Sequence, residues 1–103
     1  MIVYVGADDC APCRTWNRDH RPKFTNSPEF SRLVYREIKS PTLLDVLKDD
    51  FWPAELRDYR DTLGRAAGVP VWFVVVDGKI ALTAGGVSQW EVAVLPKIRS
   101  LVR

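Results

Sequence analysis

The sequence predicts one α/β domain of order βαβαββα, a mixed four-stranded sheet flanked by helices. Three observations predict it. A short apolar run, Ile2-Val3-Tyr4-Val5, opens the chain and reads as a buried strand. A longer run, Val71 to Val76, meets Asp77-Gly78 and then a second strand-like stretch, a strong hairpin signal. Segments with helix-start signals and apolar spacings of three and four separate and follow these runs. The first crossover demands a parallel pair and the hairpin adds antiparallel strands, so the sheet is mixed. The 103 residues fit a single domain spanning 1–103, and 47% apolar composition with four Trp, four Phe and three Tyr can fill a core.

Gly6 to Asp9 forms the turn out of the first strand. A helix begins near Cys10, with Pro12 in its first turn, where a missing N–H costs little. Cys13, Trp16 and His20 share one face, Arg14, Arg18 and Arg21 the more polar side, and Pro22 should end or bend the helix. Ser27-Pro28 can start a short turn. Residues 33–38 read as a strand, and its charges suit a sheet edge. Ser40-Pro41 looks like a second helix start, leading into Leu43, Leu44, Val46 and Leu47. Asp49-Asp50 interrupts that pattern and Trp52-Pro53 restarts it, with Leu56, Tyr59, Leu63 and Ala66 along one face and Gly68 closing it. After the hairpin, Gly85-Gly86 breaks the last strand. Ser88 and Glu91 match a capping box, with Val87 stapled onto Val92. Pro96, inside this last helix, should kink it.

Cys10-Ala11-Pro12-Cys13 holds the only two cysteines, just where the first strand gives way to a helix. A thiol at a helix N-terminus is acidified by unpaired backbone N–H groups and the positive end of the helix dipole. Cys10 lies at that end and is the candidate attacking thiolate; Cys13, one turn deeper, is the candidate resolving thiol. Asp8 and Asp9 oppose ionisation of Cys10, and Arg14 and Arg18 offset them. The alternatives are a structural disulfide, which at this spacing closes too small a loop to stabilise much, and half of a copper or zinc site. A zinc site needs about four ligands, and His20, Asp8 and Asp9 would have to supply the rest. Redox chemistry is the favoured reading. His20 and Trp16, Trp72 and Trp90 read as packing residues, and Trp52 as packing or as an exposed side chain near the site.

These residues resemble the thioredoxin-like superfamily. The Cys-Ala-Pro-Cys motif follows the first core strand, and Gly68-Val69-Pro70 stands before the hairpin like that family's cis-proline loop. Gly78 falls eight residues after Pro70, and Gly86 sixteen after it, as the glycines of the thioredoxin hairpin do. The likeness covers residues 2 to 103 and implies a thioredoxin fold in its minimal βαβαββα form, lacking the first strand and helix of a full thioredoxin. It implies a cis bond between Val69 and Pro70, packed beside the cysteines. It also implies a substrate surface of Ala11, Pro12, Val69, Pro70 and Gly86. The chain departs from thioredoxins in carrying Asp9 in place of their Trp, Tyr4 in place of a buried Asp that assists proton transfer, and extra residues around 39–55. Small bacterial periplasmic thioredoxin-like proteins carry comparable extras.

The resemblance implies a thiol–disulfide oxidoreductase that leans reductive and needs no diffusible cofactor. Its partners would be proteins bearing disulfides and a second protein that resets the pair. A formal charge of +2 does not imply a nucleic acid or a membrane surface, no apolar run approaches the roughly 20 residues that span a bilayer, and a monomer is expected. The compartment stays open: removal of an N-terminal signal would favour the periplasm, and the cytoplasm is expected otherwise.

Overall fold

The structure, a computed structural model, describes residues 1–64 and 68–102. Its sheet has the order β2-β1-β3-β4. β1 (Ile2–Ala7) is buried along its whole length. It pairs in parallel with β2 (Tyr35–Ser40), Ile2 opposite Tyr35 and Ala7 opposite Ser40. On its other side it pairs antiparallel with β3 (Val71–Val76), Ile2 opposite Val74 and Val5 opposite Val71. β3 turns into β4 (Lys79–Gly85) and pairs with it antiparallel, with a bulge at Val74/Val75. Asp77 and Gly78 at the tip have φ of 52° and 76°, both in the left-handed region that a tight two-residue hairpin needs. β2 is an edge strand, as its charges Arg36, Glu37 and Lys39 suggest. It lies two residues later than the sequence pattern predicts, because Leu33 and Val34 belong to the approach from the turn Pro28–Arg32.

Strand side chains alternate between the two faces. One face carries Ile2, Tyr4, Trp72 and Val74 under α1 (Ala11–Asp19), α2 (Arg21–Thr25) and the C-terminal helix. The other carries Val3, Val5, Ile38, Val71, Phe73 and Val75 under Val46, Trp52 and Leu56. The chain is thus a compact α/β domain with a mixed four-stranded sheet.

The first helix is divided at His20, with Pro22 in the first turn of α2. A proline that cannot continue a helix is well suited to begin one, since no N–H is required there. The C-terminal helix runs from α4 (Val87–Gln89) through a π-helical stretch, Trp90–Val94, into α5 (Leu95–Leu101). The Leu95 N–H bonds the Trp90 carbonyl. This wide turn precedes Pro96, which sits in the first turn of α5, so a π-turn takes the place of a simple kink. The capping box does not form. The helix begins at Val87 behind Gly86 (φ 92°), with no side-chain cap, so Ser88 already lies inside the first turn.

The second face departs most from expectation. In place of helices from Ser40 and from Trp52 there are 3-10 turns at Leu43–Asp45, Asp49–Phe51 and Ala54–Leu56, then α3 (Arg57–Arg60). Ser40 ends β2 and its hydroxyl bonds the Thr42 carbonyl. Trp52 is buried, its indole N–H donating to the Val46 carbonyl at 2.7 Å. Such side-chain bonds hold backbone carbonyls that a helix would use internally. Ala66 lies outside the described residues.

Candidate functional site

β1 ends at Ala7, and Asp8-Asp9 carries the chain into α1. Cys10 is the N-cap of α1, in an extended conformation (φ −100°, ψ 113°). Its sulfur accepts the Cys13 N–H at 3.1 Å, in the place where a serine or aspartate oxygen usually caps a helix. Ala11 and Pro12 fill the next two positions and are exposed. Pro12 has no N–H to leave unsatisfied there. The cysteines are joined as a disulfide with Cα atoms 5.2 Å apart. They are 3% and 1% exposed, so both side chains are almost wholly buried.

Val69 faces them across the site. Its carbonyl oxygen lies 3.5 Å from Cys10 Sγ, and it packs with Ala7, Cys10 and Cys13. The Val69–Pro70 peptide bond is cis, the isomer the resemblance implies. The Pro70 carbonyl accepts the Gly86 N–H at 2.9 Å. Val69 therefore meets the cysteine pair directly, and Gly86 joins the assembly through Pro70.

The neighbouring charges are arranged less simply than their sequence positions suggest. Asp9 turns its carboxylate to the Leu43 N–H at 2.9 Å. Arg14 donates to the Asp8 carbonyl at 3.0 Å. Arg18 is held by both oxygens of Asp19, at 2.7 and 2.9 Å, so its charge is largely compensated there.

Tyr4 lies behind the motif. Its ring stacks on Trp16 with centroids 4.6 Å apart, and its hydroxyl accepts from Asn17 at 3.0 Å. Asn17 also donates to the Cys13 carbonyl at 2.8 Å, which ties the first turns of α1 to β1. Burial raises the Tyr4 pKa above its ordinary value, despite the bond from Asn17. The phenol is therefore neutral near pH 7. Gly6 is required beside it, because a Cβ there would stand 2.2 Å from the Tyr4 oxygen. A cleft of about 580 Å³ opens on this flank, bordered by Tyr4, Asn17, Arg14, Arg18 and Lys39. The cysteines do not line it.

Two participants escape sequence reasoning. Asn17 follows Cys13 by four residues, a spacing that signals a shared helix face, but nothing marks it as a tether to Tyr4. The turn at 41–45 reaches the motif through Asp9–Leu43 and through the Asp8 N–H to the Ser40 carbonyl at 2.9 Å, contacts more than thirty residues apart in sequence. His20 lies elsewhere, its Nδ1 3.6 Å from Glu91. Among the described residues no three His, Cys, Asp or Glu side chains cluster as metal ligands. No helix there is long and apolar enough to cross a membrane.

No family model, curated protein or solved structure matches the chain.

Proposed function

We propose that the protein is a thiol–disulfide oxidoreductase of thioredoxin-like type, working through Cys10 and Cys13, and that it acts as a reductant. The observation that carries this reading is the Cys13 N–H aimed at Cys10 Sγ from the first turn of α1. In the reduced protein the same N–H and the helix dipole favour a thiolate at Cys10. Val69, half-buried against the sulfur, and the cis Pro70 behind it support the reading.

In the forward direction the Cys10 thiolate attacks one sulfur of a partner disulfide, forming a mixed disulfide and releasing the first partner thiolate. Cys13, losing its proton, then attacks Cys10 Sγ. The Cys10–Cys13 disulfide forms and the second partner thiolate leaves. Two electrons pass to the partner, whose thiolates take up protons. A dithiol protein must then reduce the Cys10–Cys13 bond.

The experiment is insulin reduction with dithiothreitol as the electron source. Cys10→Ser should lose all acceleration over dithiothreitol alone, and Cys13→Ser should accumulate mixed disulfides. Wild type no faster than Cys10→Ser would remove the proposal. Alkylation across pH should place the Cys10 midpoint below the ~8.5 of a free thiol. A potential near about −270 mV would mark a reductant and one near about −120 mV an oxidant. Stoichiometric copper or zinc that disappears in Cys13→Ser would instead favour metal handling by the same pair.

A further inference from the structure

We propose that the turn at 41–45 is the specificity element of this site, with Leu44, supported by Leu43, contacting an apolar side chain of the partner protein beside its reacting cysteine. The inference rests on the oxidoreductase reading and names what that site recognises.

Leu44 is 94% exposed and Leu43 47%. A single exposed leucine needs no explanation. These two are adjacent, and their turn is fixed to the cysteine motif. The Leu43 N–H bonds the Asp9 carboxylate, the Asp8 N–H bonds the Ser40 carbonyl, and the Ser40 hydroxyl bonds the Thr42 carbonyl. A contact surface ordered before the partner arrives loses less entropy on binding.

Distance sets whether a partner at Cys10 can reach this turn. Asp9 directly precedes Cys10, and consecutive Cα atoms are about 3.8 Å apart. One carboxylate and one hydrogen bond further on, the Leu43 nitrogen lies within about 10 Å of the Cys10 backbone. Transient redox interfaces bury less than about 1,200 Å² in total, or roughly 600 Å² per partner. A disc of that area has a radius of about 14 Å. A partner docked with its sulfur at Cys10 therefore has Leu43 and Leu44 within reach of an interface of this size. Along an extended partner strand, about 10 Å is roughly three residues. The complementary partner carries an aliphatic or aromatic side chain two to four residues (approximately) from its cysteine.

The test uses two synthetic peptides, each with a central cysteine as a mixed disulfide with thionitrobenzoate, flanked at those positions by leucine in one and serine in the other. Release of thionitrobenzoate in a single turnover of the reduced protein gives a second-order rate constant for each. Partial burial of one leucine corresponds to about tenfold, so wild type should prefer the leucine peptide by about that factor. Leu44→Ser should bring the ratio to within about twofold of unity. A wild type without preference, or a Leu44→Ser protein that keeps it, overturns the inference while leaving the oxidoreductase reading intact. If wild type attacks neither peptide nor 5,5′-dithiobis(2-nitrobenzoate), the oxidoreductase reading itself fails and the inference goes with it.

Discussion

On one face of the sheet, α1, α2 and the C-terminal helix bury a nest of aromatic rings: Trp16 meets Tyr4, Trp72 and Trp90 at centroid distances of 4.6, 5.5 and 5.2 Å. On the other face the longest α-helix among the described residues, α3, has four residues, and 3-10 turns carry Val46, Trp52 and Leu56 onto the strands. Each face buries tryptophan almost completely, but the polar bonds differ. Among the described residues the indole N–H groups of Trp16 and Trp72 have no partner, whereas the Trp52 N–H holds the Val46 carbonyl. Arg57 donates to the Trp52 carbonyl at 3.0 Å and Arg60 to the Leu47 carbonyl at 3.3 Å. The helical face satisfies its backbone internally and is held by packing. The turn face borrows side chains to satisfy its backbone, so single polar groups matter more there.

The largest effect should come from comparing one substitution on the two faces. Trp16→Phe and Trp52→Phe remove the same atoms from comparably buried sites. At position 52 the change also deletes a buried hydrogen bond and deprives the Val46 carbonyl of its donor, worth roughly 1–3 kcal/mol. At position 16 it removes an N–H without a partner, which offsets part of the packing loss. Urea unfolding should therefore show Trp52→Phe as the less stable variant by about 2 kcal/mol. Equal losses, or the reverse order, would break the distinction between a packed face and a tethered one.

The same contrast explains what could be read in advance. The strands and the hairpin announce themselves through apolar runs and Asp77-Gly78, and α1 through Cys10, Pro12 and the spacing of Cys13 and Trp16. The turn face carries similar apolar spacings, from Leu43 to Leu63, and these suggest helices. What defeats them is invisible to spacing: Asp9 holding the Leu43 N–H, the Trp52 indole on the Val46 carbonyl, and Arg57 and Arg60 on other carbonyls. At the site the motif places Cys10, Ala11, Pro12 and Cys13, and Val69-Pro70 is found through its resemblance to a cis-proline loop. Asn17 and the turn at 41–45 are not legible, because their roles depend on pairings set by the finished fold.

A smaller effect sharpens the picture of the helical face. There the main polar tie is Arg21 on α2, which holds Glu37 on β2 through bonds of 2.8 and 3.2 Å, while the Tyr35 hydroxyl donates to the same carboxylate at 2.7 Å. Burial pushes the Glu37 pKa up, but the bonds from Arg21 and Tyr35 outweigh it and hold the carboxyl below its ordinary value. A depressed folded-state pKa means that the unfolded chain binds the proton first as pH falls. The contribution is therefore fully present above the ordinary glutamate value near ~4.3 and is lost as pH falls from there through the folded pKa. For a pair this exposed to solvent it is about 1 kcal/mol. Glu37→Gln should lower stability at pH 7 by about that amount and flatten the acid limb of the stability profile relative to wild type. An unchanged acid limb would mean that this ion pair does not tie α2 to the sheet edge.

The smallest effect concerns the tether that joins the turn face to the cysteine motif. The Asp9 bond to the Leu43 N–H is exposed, so its loss in Asp9→Ala should cost only about 0.5–1 kcal/mol, close to the limit of an unfolding measurement. Amide exchange resolves it better, because an exposed turn opens locally and without global unfolding. In Asp9→Ala the Leu43 amide should exchange roughly two- to fivefold faster. Val74, buried in β3, should exchange as in wild type after allowance for the small change in global stability. If both amides accelerate together, the turn opens only when the whole domain does, and side-chain tethering no longer distinguishes the turn face from the helical one. If Leu43 alone responds, the Asp9 carboxylate contributes to holding the two leucines beside Cys10, the pre-ordering that favours recognition of an apolar partner.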